Sequence, residues 1–252
     1  MPTESLDVER SGPLLHVWLS RPKQLNPIST SVLRELGDLF RNLETDFDIR
    51  AVVLGGRGRS FSAGADRRER REPDEGATER ERRWFSQLGR RACQAIEDCE
   101  VPTIARVQGH ALGGGFCLAQ SCDFRVAAED AEFGLPEVEL GLPLTWGAVP
   151  RLIHEIGAAR ARELVMLGTR IDGRRAAEIG LVHRAVPAAE LDDAVAQLAE
   201  QVLALPELAV HMTKTQLRGY ARRDSLGDAS EADGDLLGQA FQSPTLRERF
   251  RL

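Results

Sequence analysis

The N-terminal part of the chain changes from strand-like to helix-like periodicity. Polar and apolar residues alternate from Leu6 to Arg10, and the apolar run 14–19 follows the turn at 11–13. These two stretches predict a β-hairpin. From Ser29 the apolar residues recur at helical spacing, which predicts an amphipathic helix that ends near Asp46.

Short apolar runs alternate with helical patterns through the middle of the chain. The predicted strands are 51–54, 103–107, 124–128 and 181–186. The predicted helices are 84–99, 114–122, 146–156, 158–167 and 172–180. This alternation predicts an α/β fold.

The chain after Pro187 contains helical patterns and no strand pattern. Apolar stripes recur in two stretches, one near Leu198 and one near Met212. We therefore expect an α/β core over residues 1–187 and a helical region over 188–252. The apolar stripes of this region need a partner, either in the core or in another copy of the chain.

The segment 67–83 differs from the rest because it is rich in Arg and Glu and has almost nothing apolar to bury. It predicts a solvated loop or a frayed helix. A lid over the glycine loop that precedes it is the alternative.

The overall composition limits the classes of partner. The chain has 252 residues, 42% of them hydrophobic, and a net charge of −6. Its charges are interspersed and form no basic face, so we expect no nucleic-acid partner. No apolar segment approaches the length of a membrane span, and no apolar run follows Met1, so we expect a cytoplasmic protein. Small molecules or copies of itself are the expected partners.

The four cysteines suggest neither a disulfide framework nor a zinc site, because no C-x-x-C pair or nearby histidine accompanies them. They are Cys93, Cys99, Cys117 and Cys122. We expect no metal.

Three consecutive glycines, 113–115, stand between a predicted buried strand and a predicted buried helix. Such a corner presents bare backbone N–H groups to a negative oxygen. The spacing matches neither a P-loop nor G-x-G-x-x-G, and no lysine follows to reach a phosphate. A transient oxyanion fits this corner better than a phosphate does. Close packing of the helix on the strand is the structural alternative.

Several motifs together resemble the enoyl-CoA hydratase/isomerase (crotonase) family. They are the loop 61–66, the glycine corner 109–116, the loop 133–141, the early segment 20–26 and the pair Cys122-Asp123. The resemblance runs from the first hairpin to about residue 190. It implies a spiral of repeated β-β-α units, C-terminal helices that assemble a homotrimer or hexamer, and an acyl-CoA substrate. It implies no cofactor beyond the coenzyme A of that substrate.

The resemblance also implies roles for individual residues. The backbone N–H groups of Ala65 and Gly114 would hold the thioester oxygen, and Glu137 would be the catalytic carboxylate. The implied substrate-binding residues are Lys23, Ala63, Asp66, Arg67, Arg68, Gly113 and Trp146. The cations among them would lie near the phosphates of coenzyme A, and an ordinary surface charge is the alternative for each.

Cys117 departs from the family pattern, because the hydratases carry a second glutamate at this position. A thiol in the first turn of a helix can act as a nucleophile, or it can serve as a small core residue. Glu139 is expected to point away from the site, and the role of His110 stays open. Trp146 replaces a small residue and either reshapes the acyl pocket or belongs to the core.

The retained single carboxylate favours one reaction. Moving a double bond from C3 to C2 of an enoyl-CoA needs one base, whereas adding water is divided between two carboxylates in the family's hydratases. We therefore predict Δ3-to-Δ2 enoyl-CoA isomerisation with Glu137 as the acid/base. Enoyl-CoA hydration and non-catalytic acyl-CoA binding are the alternatives.

Overall fold

The computed structural model describes residues 5–69, 76–224 and 233–242. Its strands are β1 (Leu6–Ser11), β2 (Leu14–Leu19), β3 (Ala51–Gly56), β4 (Thr103–Val107), β5 (His110–Leu112), β6 (Phe124–Ala128), β7 (Glu132–Gly134) and β8 (Arg184–Val186). Its helices are α1 (Thr30–Asn42), α2 (Glu79–Ser86), α3 (Leu88–Asp98), α4 (Gly114–Gln120), α5 (Ala148–Ile156), α6 (Ala158–Met166), α7 (Gly173–Glu178), α8 (Leu191–Leu203), α9 (Glu207–Asp224) and α10 (Asp233–Ala240).

A six-stranded sheet forms the centre of the molecule, in the order β1-β2-β3-β4-β6-β8. The β1–β2 pair is the predicted antiparallel hairpin, with Leu6 opposite Leu19, and the other pairs are parallel. Every residue of β3 is buried, as expected for a strand covered on both faces. Helix α8 packs against β3, β4 and β6, so the first helix after Pro187 covers this sheet.

The predicted helix from Ser29 is confirmed as α1, and Ser29 caps it by accepting a hydrogen bond from the Val32 N–H at 3.3 Å. The prediction of a single helix over 84–99 was wrong. Two helices, α2 and α3, replace it, and α2 begins at Glu79. The side chains of Thr78 and Glu81 form a capping box that fixes this start. Residues 70–75 of the charged segment lie outside the described residues.

A second, two-stranded sheet pairs β5 with β7 in parallel, with Ala111 opposite Phe133. Both strands have three residues, too short for an alternating pattern to reveal, and the prediction treated them as loop. Their position is decisive for the site, because β5 leads into α4 and β7 leads into the loop that carries Glu137.

The remaining boundaries differ by a few residues from those predicted. The last strand is shorter than 181–186, and α5 starts at Ala148 because Trp146 and Gly147 both have left-handed backbone angles. Among the described residues, no helix combines the length and the apolar character that crossing a membrane requires.

Candidate active site

The loop 61–66 and the glycine corner lie side by side. Ser62 forms a parallel bridge to Ala111, and its N–H and C=O bond to His110 and Leu112 at 2.8 and 3.1 Å. A Cβ atom built on Gly64 would be 3.8 Å from the Gly114 nitrogen. The two loops are more than 40 residues apart in the sequence and are in contact in the structure.

The backbone N–H of Ala65 points away from the strand-like pairing that fixes its loop. On either side of Ala65, the Ile28 N–H donates to Gly64 O and the Asp66 N–H donates to Ile28 O, both at 2.9 Å. Successive N–H groups of an extended chain point to opposite sides. The Ala65 N–H therefore faces away from Ile28, and no group among the described residues accepts a hydrogen bond from it.

The N–H of Gly114 is the second candidate donor. Gly114 is the first residue of α4, where N–H groups have no partner within the helix. Gly113 precedes it with φ 51° and ψ −119°, a conformation that requires glycine. Helix α4 has seven residues, so the individual N–H group matters here more than the dipole of a long helix.

Glu137 lies against this corner. A Cβ atom on Gly113 would be 2.7 Å from the Glu137 Oε1, so the absence of a side chain at Gly113 makes room for the carboxylate. Glu137 opens a 3-10 turn, Val138–Leu140, and its Oε2 atom is buried. The structure thus brings together Ala65, Gly114 and Glu137. Glu139 instead packs against Gly168 and is exposed.

Cys117 is buried beneath the same corner, one turn into α4. Burial raises the pKa of its thiol well above the usual value, and the nearby Cys93 and Glu137 raise it further. A thiolate nucleophile needs the opposite shift. The structure therefore favours the small core residue over the nucleophile. The ring of His110 contacts a different residue, because its Nδ1 lies 3.3 Å from the Ser60 Oγ.

Trp146 packs directly on Gly114. A Cβ atom on Gly114 would be 2.5 Å from the Trp146 Cζ3 and 3.4 Å from the Ile28 Cδ1. The other side of the indole meets α3, where a Cβ atom on Gly89 would be 1.9 Å from the Cε2. The side chain is both part of the core and a neighbour of the candidate oxyanion donor.

Two charged residues that the sequence analysis did not single out hold the turn at Trp146. The Asp233 Oδ2 accepts a hydrogen bond from the Gly147 N–H at 2.7 Å, and the Arg151 Nη1 donates to the Trp146 O at 3.0 Å. Arg151 is paired with Glu97 at 2.7 Å. Asp233 comes from α10, and nothing in the local sequence pattern signals that this helix returns to the site.

Asp66 supports the Ala65 loop through a buried ion pair. Its Oδ2 is 2.6 Å from the Arg21 Nη1, and its Oδ1 accepts from the Arg68 N–H at 3.0 Å. Burial alone would raise the pKa of Asp66, but the hydrogen bonds from Arg21 and Arg68 outweigh it, so the pKa lies below its usual value. The sequence analysis assigned Asp66 to substrate binding. Its contacts with Arg21 and Arg68 show that it also stabilises the Ala65 loop.

Asn26 is a further support that the sequence analysis did not identify individually. Its side-chain nitrogen donates to Arg57 O and Ser60 O at 2.9 and 2.7 Å, while its oxygen accepts from the Arg21 N–H at 2.9 Å. Asn26 is buried and has φ 52°. The sequence offered one signal for this role, because asparagine is a polar residue type that tolerates left-handed backbone angles.

The cationic side chains assigned to coenzyme A are exposed on the surface. Lys23 is exposed on a 3-10 turn, and Arg67 and Arg68 follow Asp66 on the surface, with Ala63 also exposed. Phosphate contacts by these residues stay a prediction.

A large cavity of about 830 Å³ lies elsewhere, at the C-terminal end of α4. Helix α9 forms one wall of this cavity, and the opposite wall includes the ion pair of Arg125 with Glu155. It contains neither Ala65 nor Glu137. Within the part of the chain that the structure describes, no cluster of three or more His, Cys, Asp or Glu residues is placed to hold a metal ion.

The chain is similar in sequence to known proteins over most of its length. The sequence profile of the enoyl-CoA hydratase/isomerase family matches residues 9–250. A short-chain-enoyl-CoA hydratase of Clostridium acetobutylicum is 34% identical over 244 residues, covering 96% of this chain and 92% of the relative. A carnitinyl-CoA dehydratase of Salmonella agona is 37% identical over 213 residues, covering 84% of this chain and 79% of the relative.

A solved structure shares the complete fold. The crystal structure of an enoyl-CoA hydratase/isomerase from Mycobacterium paratuberculosis aligns with a TM-score of 0.88 and 31% identity, covering 100% of this chain and 98% of that chain. The α/β fold class that the motifs implied is confirmed.

Proposed function

This chain belongs to the enoyl-CoA hydratase/isomerase family, and from that premise we propose that it moves a double bond from C3 to C2 of an enoyl-CoA, with Glu137 as the single acid and base. The observation that carries the proposal is the position of Glu137. Its carboxylate lies against Gly113, beside the Gly114 N–H, while the residue beneath the same corner is a protonated thiol.

The reaction begins with the thioester oxygen between the N–H groups of Ala65 and Gly114. Glu137 takes a proton from C2, and the electrons of that C–H bond move into a dienolate whose negative charge rests on the thioester oxygen. Two pre-placed donors of this kind stabilise such a charge by about 3 kcal/mol each. Proton loss from C2 becomes feasible because the charge has a fixed place to go.

The reaction ends when Glu137 returns the proton to C4. The double bond then lies between C2 and C3, the carbonyl is restored and Glu137 is ionised again, so no water is consumed. One carboxylate that reaches two carbons on the same face of the dienolate is sufficient for this sequence. Cys117 does not supply a second base, because burial keeps its thiol protonated.

Hydration of a 2-enoyl-CoA is the second candidate. The activities of the relatives favour it, since they include a short-chain-enoyl-CoA hydratase and a carnitinyl-CoA dehydratase. Against it stands the lack of a carboxylate at position 117, where hydratases of the family have one.

The test compares the hydration of 2-enoyl-CoA with the isomerisation of 3-enoyl-CoA, using wild type, Glu137→Gln and the control Glu139→Gln. We expect isomerisation to dominate in the wild type, to fall by roughly 10²- to 10⁴-fold in Glu137→Gln, and to stay within twofold in the control. Dominant hydration, or full isomerase activity in Glu137→Gln, would overturn the proposal.

A second measurement separates an enzyme from a binding protein. Incubation of a saturated acyl-CoA in D₂O, followed by mass measurement, reports exchange of the C2 protons without knowledge of the true substrate. We expect exchange with the wild type and none with Glu137→Gln. Binding without any exchange would support the non-catalytic alternative.

A further inference from the structure

The backbone at Trp146 is held in an unfavourable conformation. Trp146 has φ 65°, in the left-handed region that a bulky side chain avoids, and Gly147 follows with φ 71°. Such a conformation is energetically unfavourable and persists only where its surroundings enforce it. Here Asp233 binds the N–H of Gly147 and Arg151 binds the carbonyl of Trp146. The turn is therefore fixed from both ends.

This strained turn places the indole against Gly114, the residue whose N–H is the candidate donor to the thioester oxygen. One edge of the ring packs on Gly114, and the opposite edge packs on Gly89 of α3. Because the ring is only 8% exposed and is wedged between two backbones, it has no room to move aside. The thioester carbon bound at the Gly114 N–H would have the indole as its immediate neighbour.

We propose that Trp146 forms a wall of the acyl pocket beside the thioester and makes this protein favour short acyl chains over long ones. Asp233 of α10 is a positioning residue that keeps the wall in place through Gly147. The inference rests on the proposed function only in taking the Gly114 N–H as the anchor of the thioester. A longer chain would have to displace the indole from both Gly89 and Gly114.

The test measures binding of two saturated esters, butanoyl-CoA and decanoyl-CoA, by calorimetry. We expect the wild type to bind butanoyl-CoA more tightly. Trp146→Gly removes the ring and suits the left-handed backbone, so the ratio of decanoyl to butanoyl affinity should rise at least about tenfold, since each newly buried methylene adds roughly 0.8 kcal/mol. Trp18→Ala, which removes an indole from the distant hairpin, should leave the ratio unchanged. An unchanged ratio in Trp146→Gly overturns the proposal.

A variant of opposite effect protects the test against a misfolded Trp146→Gly. Gly89→Ala adds a methyl group on the far side of the indole and pushes the ring toward Gly114. We expect this variant to lower the affinity for butanoyl-CoA at least fivefold and the affinity for free coenzyme A less than twofold. Adding Trp146→Phe, which shortens the ring, should restore butanoyl-CoA binding. The proposal that Trp146 forms a wall of the pocket would be contradicted if Gly89→Ala weakened the binding of both ligands equally, or if adding Trp146→Phe did not restore butanoyl-CoA binding.

The outcomes also separate this inference from the proposed function. Saturated esters have no double bond to move, so chain-length preference is measured whether or not the protein is an isomerase. If the wild type isomerises 3-enoyl-CoA but binds decanoyl-CoA as tightly as butanoyl-CoA, the proposed function is supported and the proposed role of Trp146 is wrong.

Discussion

Cys117 is the single residue on which the choice between isomerisation and hydration depends. Its thiol is protonated because burial raises its pKa, so Cys117→Ala should keep at least about half of the isomerase activity. The measurement is the initial rate with 3-enoyl-CoA. A loss comparable to that of Glu137→Gln would show that the thiol takes part in the chemistry.

Cys117→Glu extends this prediction. A carboxyl group buried at position 117, with Glu137 nearby, would itself be held protonated by burial and by the like charge. It could then supply the acid that hydration of a 2-enoyl-CoA requires. We expect hydration to increase by at least tenfold over wild type, measured by loss of the conjugated thioester absorbance, whereas Cys117→Ser should show no gain.

The sequence singled out the candidate residues of the site but not the residues that support them. Ala65, Gly114 and Glu137 stand in recognisable motifs, and the structure brings them together. Asp233 is 86 residues from Gly147 in the sequence. A contact between residues so far apart cannot be predicted from the local pattern of apolar and polar residues. The left-handed backbone angle of Trp146 could not be predicted from the sequence either, because bulky residues such as tryptophan rarely adopt such an angle.

At the scale of elements, helix α10 supports the turn at Trp146 through one of its two acidic side chains that make contacts outside the helix. Asp233 binds the turn at Trp146, whereas Asp235 forms an exposed ion pair with Arg83 at 3.1 Å. We expect Asp233→Asn to raise the relative affinity for decanoyl-CoA about two- to fivefold, since a neutral acceptor binds the Gly147 N–H more weakly. Calorimetry with the two esters measures it.

Asp235→Asn is the matched control, because it lies on the same helix and removes the same charge. Exposed ion pairs contribute at most about 1 kcal/mol, and Asp235 makes its ion pair with Arg83 rather than with the turn at Trp146. Its ester preference should equal that of the wild type. Equal effects of the two variants would mean that α10 acts only through general stability.

Elements whose apolar pattern repeats were predictable, whereas strands β5 and β7 and the start of helix α2 were not. Helix α1 shows its apolar face over 13 residues and was predicted from Ser29, although it ends at Asn42 and not near Asp46. Strands β5 and β7 have three residues each, so their pairing depends on tertiary contacts rather than on sequence. Helix α2 has no buried residue, and its start is set by the capping box at Thr78.

At the scale of the whole molecule, His183 makes folding stability depend on pH. Burial and the nearby Arg125 lower its pKa to about 4, and its Nδ1 accepts a hydrogen bond from the Arg125 N–H at 3.2 Å. The ring is therefore neutral when folded and takes up a proton more readily when unfolded. Stability should be full above about pH 6.5 and fall as the pH decreases from there toward 4.

Thermal unfolding of wild type and His183→Gln between pH 7 and pH 4.5 tests this. The ring is partly exposed, so solvent screening reduces the effect to on the order of 1 kcal/mol. The variant should lose less stability than the wild type over this interval. Parallel curves would show that His183 does not contribute.

Helix α9 leads to a prediction about assembly. Its large apolar side chains Leu208, Met212, Leu217 and Tyr220 are between 59% and 71% exposed in the single chain. Such a surface normally marks an interface. We predict a homotrimer or hexamer, observable by light scattering at micromolar concentration, and expect Leu217→Glu to shift the mass toward the monomer. Phe47→Ser, which changes an exposed apolar residue outside α9, should not. A monomeric wild type would contradict the prediction.

The contact between Asp233 and Gly147 has a consequence for synthesis on the ribosome. The two residues are 86 positions apart, so at 5–20 residues per second Asp233 is added roughly 4 to 17 s after Gly147. Until α10 emerges, the turn at Trp146 lacks one of the two groups that hold it. The nascent chain therefore acquires its selective pocket last, after the sheet that carries the rest of the site has been translated.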